Sequence, residues 1–204
     1  MRIVGLDLEG VLIPEVWINV AERTGIAELR LTTRDIADYD VLMKRRLGIL
    51  DEHELGLPKI QEVISGMEPL PGAKEFIDSL RERYQVIILS DTFYEFAEPF
   101  MRKLGWPTLF CHSLVVEPTG RISGYKLRQP DPKRQAVRAL RGLNFQVVAA
   151  GDSYNDTTML GEAHAGILFR APDNVVRDFP NFPRVERFEE LRSHIDSAFD
   201  RIRS

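Results

Sequence analysis

The chain has 204 residues, 44% hydrophobic and 28% charged, with 14 glycines and 12 prolines. That length and balance suit one globular domain with room for a small inserted lobe, and they exclude disordered and collagen-like classes. A formal net charge of −4, with lysines and arginines scattered along the chain, leaves no electrostatic footprint for nucleic acid or for an anionic membrane surface. The single cysteine, Cys111, cannot form an internal disulfide, and His53, His112, His164 and His194 lack zinc-ligand spacing. The amino terminus has neither signal-peptide nor membrane-span character, so a cytoplasmic setting is expected.

In chain order, Arg2 to Leu6 (RIVGL) is a short apolar run ending in the acidic, glycine-containing segment DLEG, the pattern of a buried strand that opens into a loop. The stretch 13–69 then shows only helical patterns, over Pro14 to Thr24, Tyr39 to Glu52 and Pro58 to Ser65, which predicts a helical cap inserted after the first strand. The core would comprise 1–12 and 70–204. Pro71 suits the first turn of a helix reaching Arg83, followed by a strand at Gln85 to Leu89 and a helix from near Thr92 that Gly105 closes. Leu114 to Leu127 has two β-like runs around Pro118, Thr119 and Gly120, a hairpin signal. Pro132 opens a helix to about Leu143, strands follow at Gln146 to Ala150 and Ala165 to Phe169, and EELRSHIDSAFDRIR forms an amphipathic helix to which no functional role is assigned. Strands alternating with helices predict an α/β fold: a Rossmann-like, doubly wound parallel sheet with a small inserted helical cap.

Ligands of such sheets bind beyond the carboxyl ends of the strands. The segments delivered there are Asp7 with Glu9, Ser90 with Asp91, and Gly151 to Asp156 (GDSYND). Carboxylates gathered at one edge repel one another, and oxygen-only ligands point to Mg²⁺. The expected ligands are Asp7, the main-chain carbonyl of Glu9, and Asp152. Asp7 can attack phosphorus in line, Glu9 can protonate the leaving oxygen, and Lys133, the Ser90 hydroxyl and the N–H groups opening the Thr92 helix can hold the phosphate. Taken singly, each segment has a plainer reading: a solvated strand end, a turn with a helix cap, a first-turn lysine. Only their order along the chain joins them into one site.

That order, DLEGV at Asp7 to Val11, ILSDT at Ile88 to Thr92, Lys133 in DPKR, and GDSYND, resembles the haloacid dehalogenase superfamily of aspartate-nucleophile phosphohydrolases. With the helical insert and the segment PLPGAKEFIDSLRERYQVIILSDTFYEF, the chain is similar to phosphoserine phosphatases, and nearest to the branch named for a bifunctional phosphoserine phosphatase and phosphoserine:homoserine phosphotransferase. The resemblance implies Asp7 as nucleophile, Glu9 as acid/base, Ser90 and Lys133 as phosphate binders, Asp152 as metal ligand, Asn155 touching the phosphate and Asp156 bracing Lys133 or the metal waters. It also implies Glu15 as the group that binds the substrate ammonium and Arg46 as the one that grips its carboxylate, with O-phosphoserine as donor and homoserine as acceptor. Two positions depart from the family pattern. Glu9 stands where most members carry Asp, and Asp91 where phosphoserine phosphatases carry glycine. Capping the Thr92 helix would turn the Asp91 carboxylate away from the phosphate. The remaining alternatives are a phosphatase of a nucleotide or sugar phosphate, and a non-enzymatic receiver-type phospho-acceptor. No nucleic-acid or membrane partner is expected, and the sequence does not specify an oligomeric state.

Overall fold

The computed structural model describes residues 1–32, 35, 36 and 39–203. Its first strand, β1 (Arg2–Leu6), lies between two others, and its side chains enter a packed cluster on each face, as in parallel sheets flanked by helices. The chain continues through α1 (Val16–Thr24), α2 (Tyr39–Glu52), α3 (Leu57–Ser65), α4 (Ala73–Arg81), β2 (Gln85–Phe93), α5 (Tyr94–Lys103), β3 (Thr108–Val116) and β4 (Ile122–Lys126). It ends with α6 (Pro132–Gly142), β5 (Gln146–Gly151), α7 (Thr157–Glu162), β6 (Ala165–Phe169), α8 (Asp173–Asp178), β7 (Arg184–Val185) and α9 (Phe188–Arg203). Among the described residues, seven strands form one sheet in the order β4-β3-β2-β1-β5-β6-β7, all neighbours parallel except the antiparallel β3–β4 hairpin. No described helix is long and apolar enough to cross a membrane.

The period-2 alternation of strand side chains divides the core. Val4, Leu6, Val86, Ile88, Val148 and Ala150 face a layer built by α4, α5 and α9, whereas Ile3, Ile87, Leu89, Val147 and Ala149 face α6 and α7. From β1 the chain proceeds to β2 on one side, and β5 takes the other side. The Asp7 N–H donates to the Ala150 carbonyl at 3.0 Å, which joins the ends of β1 and β5 at this switch point.

Among the described residues, α1, α2 and α3 keep their sequence-predicted extents to within two residues. Their apolar faces join the main core: Val16, Val20, Ile60 and Ile64 belong to the same cluster as Phe96 and Phe100, and Trp17 meets Phe96 edge to face at 5.5 Å between ring centroids. The β3–β4 hairpin holds this insert from the other side. The Leu57 N–H donates to the Gly120 carbonyl at 2.8 Å, the Arg121 guanidinium takes both oxygens of Asp51 at 2.8 and 2.6 Å, and the Tyr125 hydroxyl bonds Asp40.

Two features differ from the sequence expectation. The helix expected from Thr92 begins at Tyr94, because β2 runs on to Phe93. The hairpin's first strand starts six residues before Leu114, at Thr108, and that first half pairs parallel with β2. Its residues, TLFCHS, mix polar and apolar side chains without a clean alternation, so burial of Cys111 and His112 was not apparent.

Gly166 in β6 packs beneath α7, where a Cβ would fall 2.7 Å from the Leu160 carbonyl oxygen. Gly166→Ala is expected to lower the stability by about 1–3 kcal/mol through overpacking, read as a reduced urea midpoint at unchanged slope.

Candidate active site

The loop leaving β1 is shaped by its own backbone. The Leu8 N–H donates to Asp7 Oδ1 at 2.8 Å, and the Leu12 and Ile13 N–H groups fold back onto the Leu8 carbonyl at 2.8 and 3.0 Å. Gly10 has φ +78°, and a Cβ there would lie 2.6 Å from the Asp152 carboxyl group, so only glycine lets the loop approach the end of β5. Glu9 reaches the start of α1, where its Oε2 accepts the Val16 N–H at 3.0 Å. Burial first, and then the adjacent Glu15 carboxyl, push Glu9 up to about 8, while the Val16 bond and Arg46 oppose the rise. A carboxyl raised this far can carry a proton near neutral pH.

The β5 loop delivers the second set. Asp156 is fully buried and both its oxygens are engaged: Oδ2 accepts the Asp152 and Ser153 N–H groups at 2.9 and 3.1 Å, and Oδ1 meets Lys133 Nζ at 2.7 Å. Lys133 rises from the first turn of α6, 3% exposed, with Asp7 Oδ1 at 2.9 Å and Asp91 Oδ2 at 3.4 Å. Burial disfavours its charge, but Asp156, Asp7 and Asp91 more than compensate and hold it protonated. Oxygens of Asp7, Asp152 and Asp156 lie within 4.8 Å of one another. Burial, then Asp156 and Asp152, raise Asp7 well above the usual carboxylate range despite Lys133. One ammonium thus faces more carboxylate charge than it can offset, and this all-oxygen donor set fits a hard divalent cation such as Mg²⁺.

At the end of β2 the ladder with β3 slips: Leu89 pairs with Phe110, but Phe93 pairs with His112, so two extra residues are accommodated on β2. The slip frees Ser90, Asp91 and Thr92 from regular pairing at the site's edge, a common use of strand irregularities. Ser90 is buried, and its hydroxyl oxygen accepts the Thr92 N–H at 3.2 Å. Asp91 corrects the sequence expectation. With α5 starting at Tyr94 it caps nothing, and its carboxylate points inward, accepting Asn155 Nδ2–H at 2.8 Å beside Lys133. Burial raises this carboxyl, but Lys133, His112 and Asn155 together hold it well below its usual range.

Asp7, Glu9, Glu15, Arg46, Ser90, Asp91, Lys133, Asp152 and Asn155 all line one cavity of about 780 Å³. The structure therefore brings together every site residue expected from the sequence. Arg46 lies on the buried side of α2: it is 6% exposed, stacks at 4.5 Å over the Trp17 ring, and donates from Nη2 to the Leu31 carbonyl at 2.8 Å. Its Nε is buried with no hydrogen-bond partner among the described residues. Burial lowers the guanidinium to about 10, with Glu9, Tyr39 and Glu15 pulling it back up, so it stays charged at neutral pH. Trp17, Tyr39, Thr92 and His112 also line the cavity and were not anticipated. Helical spacing could have flagged Arg46, which shares a buried stripe with Leu42, Met43 and Leu50. The same spacing places Trp17 with Val20 and Ala21, and Tyr39 with Leu42 and Met43, whereas Thr92 and His112 carry no such signal.

A family model of haloacid dehalogenase-like hydrolases matches residues 1–164, and this chain belongs to that family. It is 64% identical over 201 residues to a protein of Pseudomonas syringae pv. tomato named phosphoserine phosphatase, covering 98% of this chain and 85% of that one. It is 63% identical to phosphoserine phosphatase ThrH of Pseudomonas aeruginosa, covering 98% of each. Among solved structures, a phosphoserine phosphatase from T. onnurineus superposes with a TM-score of 0.74 at 25% identity over 95% of this chain and 94% of the other. A phospho-aspartyl intermediate analogue of phosphoserine phosphatase has the same fold, with a TM-score of 0.77 at 21% identity over 95% and 98%.

Removing Asp156 takes the nearest acceptor from a buried ammonium. Asp156→Ala is expected to cost about 3–5 kcal/mol in urea unfolding, as when a buried pair loses one partner. A cost below about 1 kcal/mol would mean that Lys133 does not depend on it.

Proposed function

We propose that this chain is a Mg²⁺-dependent phosphoserine phosphatase that works through an aspartyl-phosphate on Asp7 and also passes the phosphoryl group to homoserine. The observation that carries this reading is the buried Lys133 ammonium between Asp7 and Asp156, in the wall of a cavity also lined by Glu15 and Arg46. The names of the two Pseudomonas relatives support the substrate, and the name ThrH supports the transfer. Asp7 and Asp152, with the main-chain carbonyl of Glu9, would hold Mg²⁺, which when bound offsets surplus carboxylate charge and polarises the phosphate. Asp156, with both oxygens already engaged, is the brace of Lys133.

In the first step an Asp7 oxygen attacks phosphorus, the bond from phosphorus to serine Oγ breaks, and Glu9 gives its proton to that oxygen. Lys133 and the Ser90 hydroxyl neutralise and bond the equatorial oxygens, with Asn155 as a further donor. In the second step Glu9 takes a proton from water or from the homoserine hydroxyl, whose oxygen attacks phosphorus as the bond to Asp7 breaks. Phosphate or phosphohomoserine leaves, and both carboxyl groups are restored. The Arg46 guanidinium in the cavity wall pairs with the amino-acid carboxylate, and Glu15 faces the ammonium. The insert 13–69 acts as a cap over the core 1–12 and 70–204, excluding bulk water in a cytoplasmic enzyme. The extra methylene of Glu9 displaces the hydrolytic water, which lets an alcohol compete.

Purified protein with Mg²⁺ and O-phosphoserine is expected to release phosphate, and to form phosphohomoserine when homoserine is added. EDTA should stop both. No product of either kind would contradict the proposal. Arg46→Lys should raise KM for phosphoserine roughly tenfold or more, since an ammonium cannot reproduce the planar, stacked guanidinium; unchanged turnover would favour a nucleotide or sugar phosphate. Glu9→Asp should shift the product ratio toward hydrolysis, and an unchanged ratio would refute the role given to its length.

A further inference from the structure

Asp91 raises a problem of charge. Its carboxylate lines the cavity 3.4 Å from Lys133 Nζ, the ammonium that must meet the substrate phosphate, and a carboxylate free to rotate there would compete with that phosphate and repel it. The surrounding groups limit that rotation. The Tyr39 hydroxyl, from the start of α2, donates to the Asp91 main-chain carbonyl at 3.0 Å, and Asn155 Nδ2–H donates to Oδ2 at 2.8 Å. The other oxygen, Oδ1, faces His112 Nε2 at 3.6 Å, too long for a full hydrogen bond but close enough for attraction between a ring N–H and a carboxylate.

The histidine is fixed in that role. It is 3% exposed on β3, held opposite Phe93 by the strand register, with the Phe93 and Tyr39 rings at 6.2 and 6.3 Å between centroids. Its Nδ1 accepts the Arg128 N–H at 3.1 Å, so in the neutral ring the proton sits on Nε2, directed at Asp91. That assignment also removes His112 as a general base, because its one acceptor nitrogen is already engaged.

We infer that His112 is a positioning residue: it holds the Asp91 carboxylate to the side of the phosphoryl position, so that Lys133 remains available to the substrate. The inference rests on the phosphoryl-transfer reading above, and extends it to a residue pair that the reaction itself does not use. The slip in β2, Asn155 and His112 accommodate the charge together.

A double-mutant cycle tests this, with binding of inorganic phosphate in the presence of Mg²⁺, measured by isothermal titration, and KM and kcat for O-phosphoserine as readouts. His112→Asn keeps an acceptor for the Arg128 N–H but removes the donor facing Asp91, whereas His112→Gln keeps a donor near the Nε2 position. In the wild-type background His112→Asn should weaken phosphate binding and raise KM by roughly tenfold with kcat changed far less, and His112→Gln should restore most of the loss. In an Asp91→Ala background His112→Asn should change either quantity by less than about twofold. An equal effect of His112→Asn in both backgrounds, or no effect in the wild type, would overturn the inference. Wild-type protein that binds phosphate but does not turn over phosphoserine would overturn the substrate reading alone, and wild-type protein that binds no phosphate would overturn both.

Discussion

An ammonium 3% exposed is stable in a protein interior only where fixed negative charge surrounds it, and Lys133 has Asp156, Asp7 and Asp91 within 3.4 Å. These partners come from the ends of β1, β2 and β5, so the cluster can form only if the three strands end at the same level of the sheet. The Asp7 N–H to Ala150 bond sets two of those ends, and the slip between β2 and β3 releases the third. The carboxylates exceed what one ammonium can neutralise. A surplus of this kind, built at a strand edge from buried aspartates, is a structural cost that a site accepts when a cation and an anionic ligand complete it.

The helical insert adds the rest of the cavity without a core of its own. Its apolar faces continue the main cluster through Trp17 and Phe96, and the hairpin ties α2 and α3 from outside through Asp51, Arg121 and the Leu57 to Gly120 bond. That double attachment fixes Arg46 and Tyr39 over the strand ends. The exposed ion pair contributes little by itself, whereas the packed aromatic and aliphatic contacts give the attachment its strength. Residues of the insert and of the strand ends thus line one cavity together.

Much of this was legible because it is local. A buried apolar run ending in an acid located Asp7, proline punctuation located the start of α6 and hence Lys133, and GDSYND located Asp152 and Asp156. What remained hidden depends on relations between segments. The direction of Asp91 follows from a two-residue slip against β3, which no pattern within β2 reports. His112 meets Asp91 only because β3 pairs parallel with β2 before turning into the hairpin, and its apolar neighbours do not alternate cleanly. Arg46, expected in the site from the resemblance, also lies on the helical stripe with Leu42, Met43 and Leu50 and is buried against Trp17.

The central claim is that Asp7 itself takes the phosphoryl group. Acid quenching of the protein during turnover of O-phosphoserine, followed by peptide mass spectrometry, tests it most directly. The account predicts one phosphoryl group on the peptide containing Asp7, absent from an Asp7→Asn variant and lost on incubation of the unquenched enzyme with excess homoserine. Turnover with an unmodified Asp7, or a label carried by another residue, would contradict it.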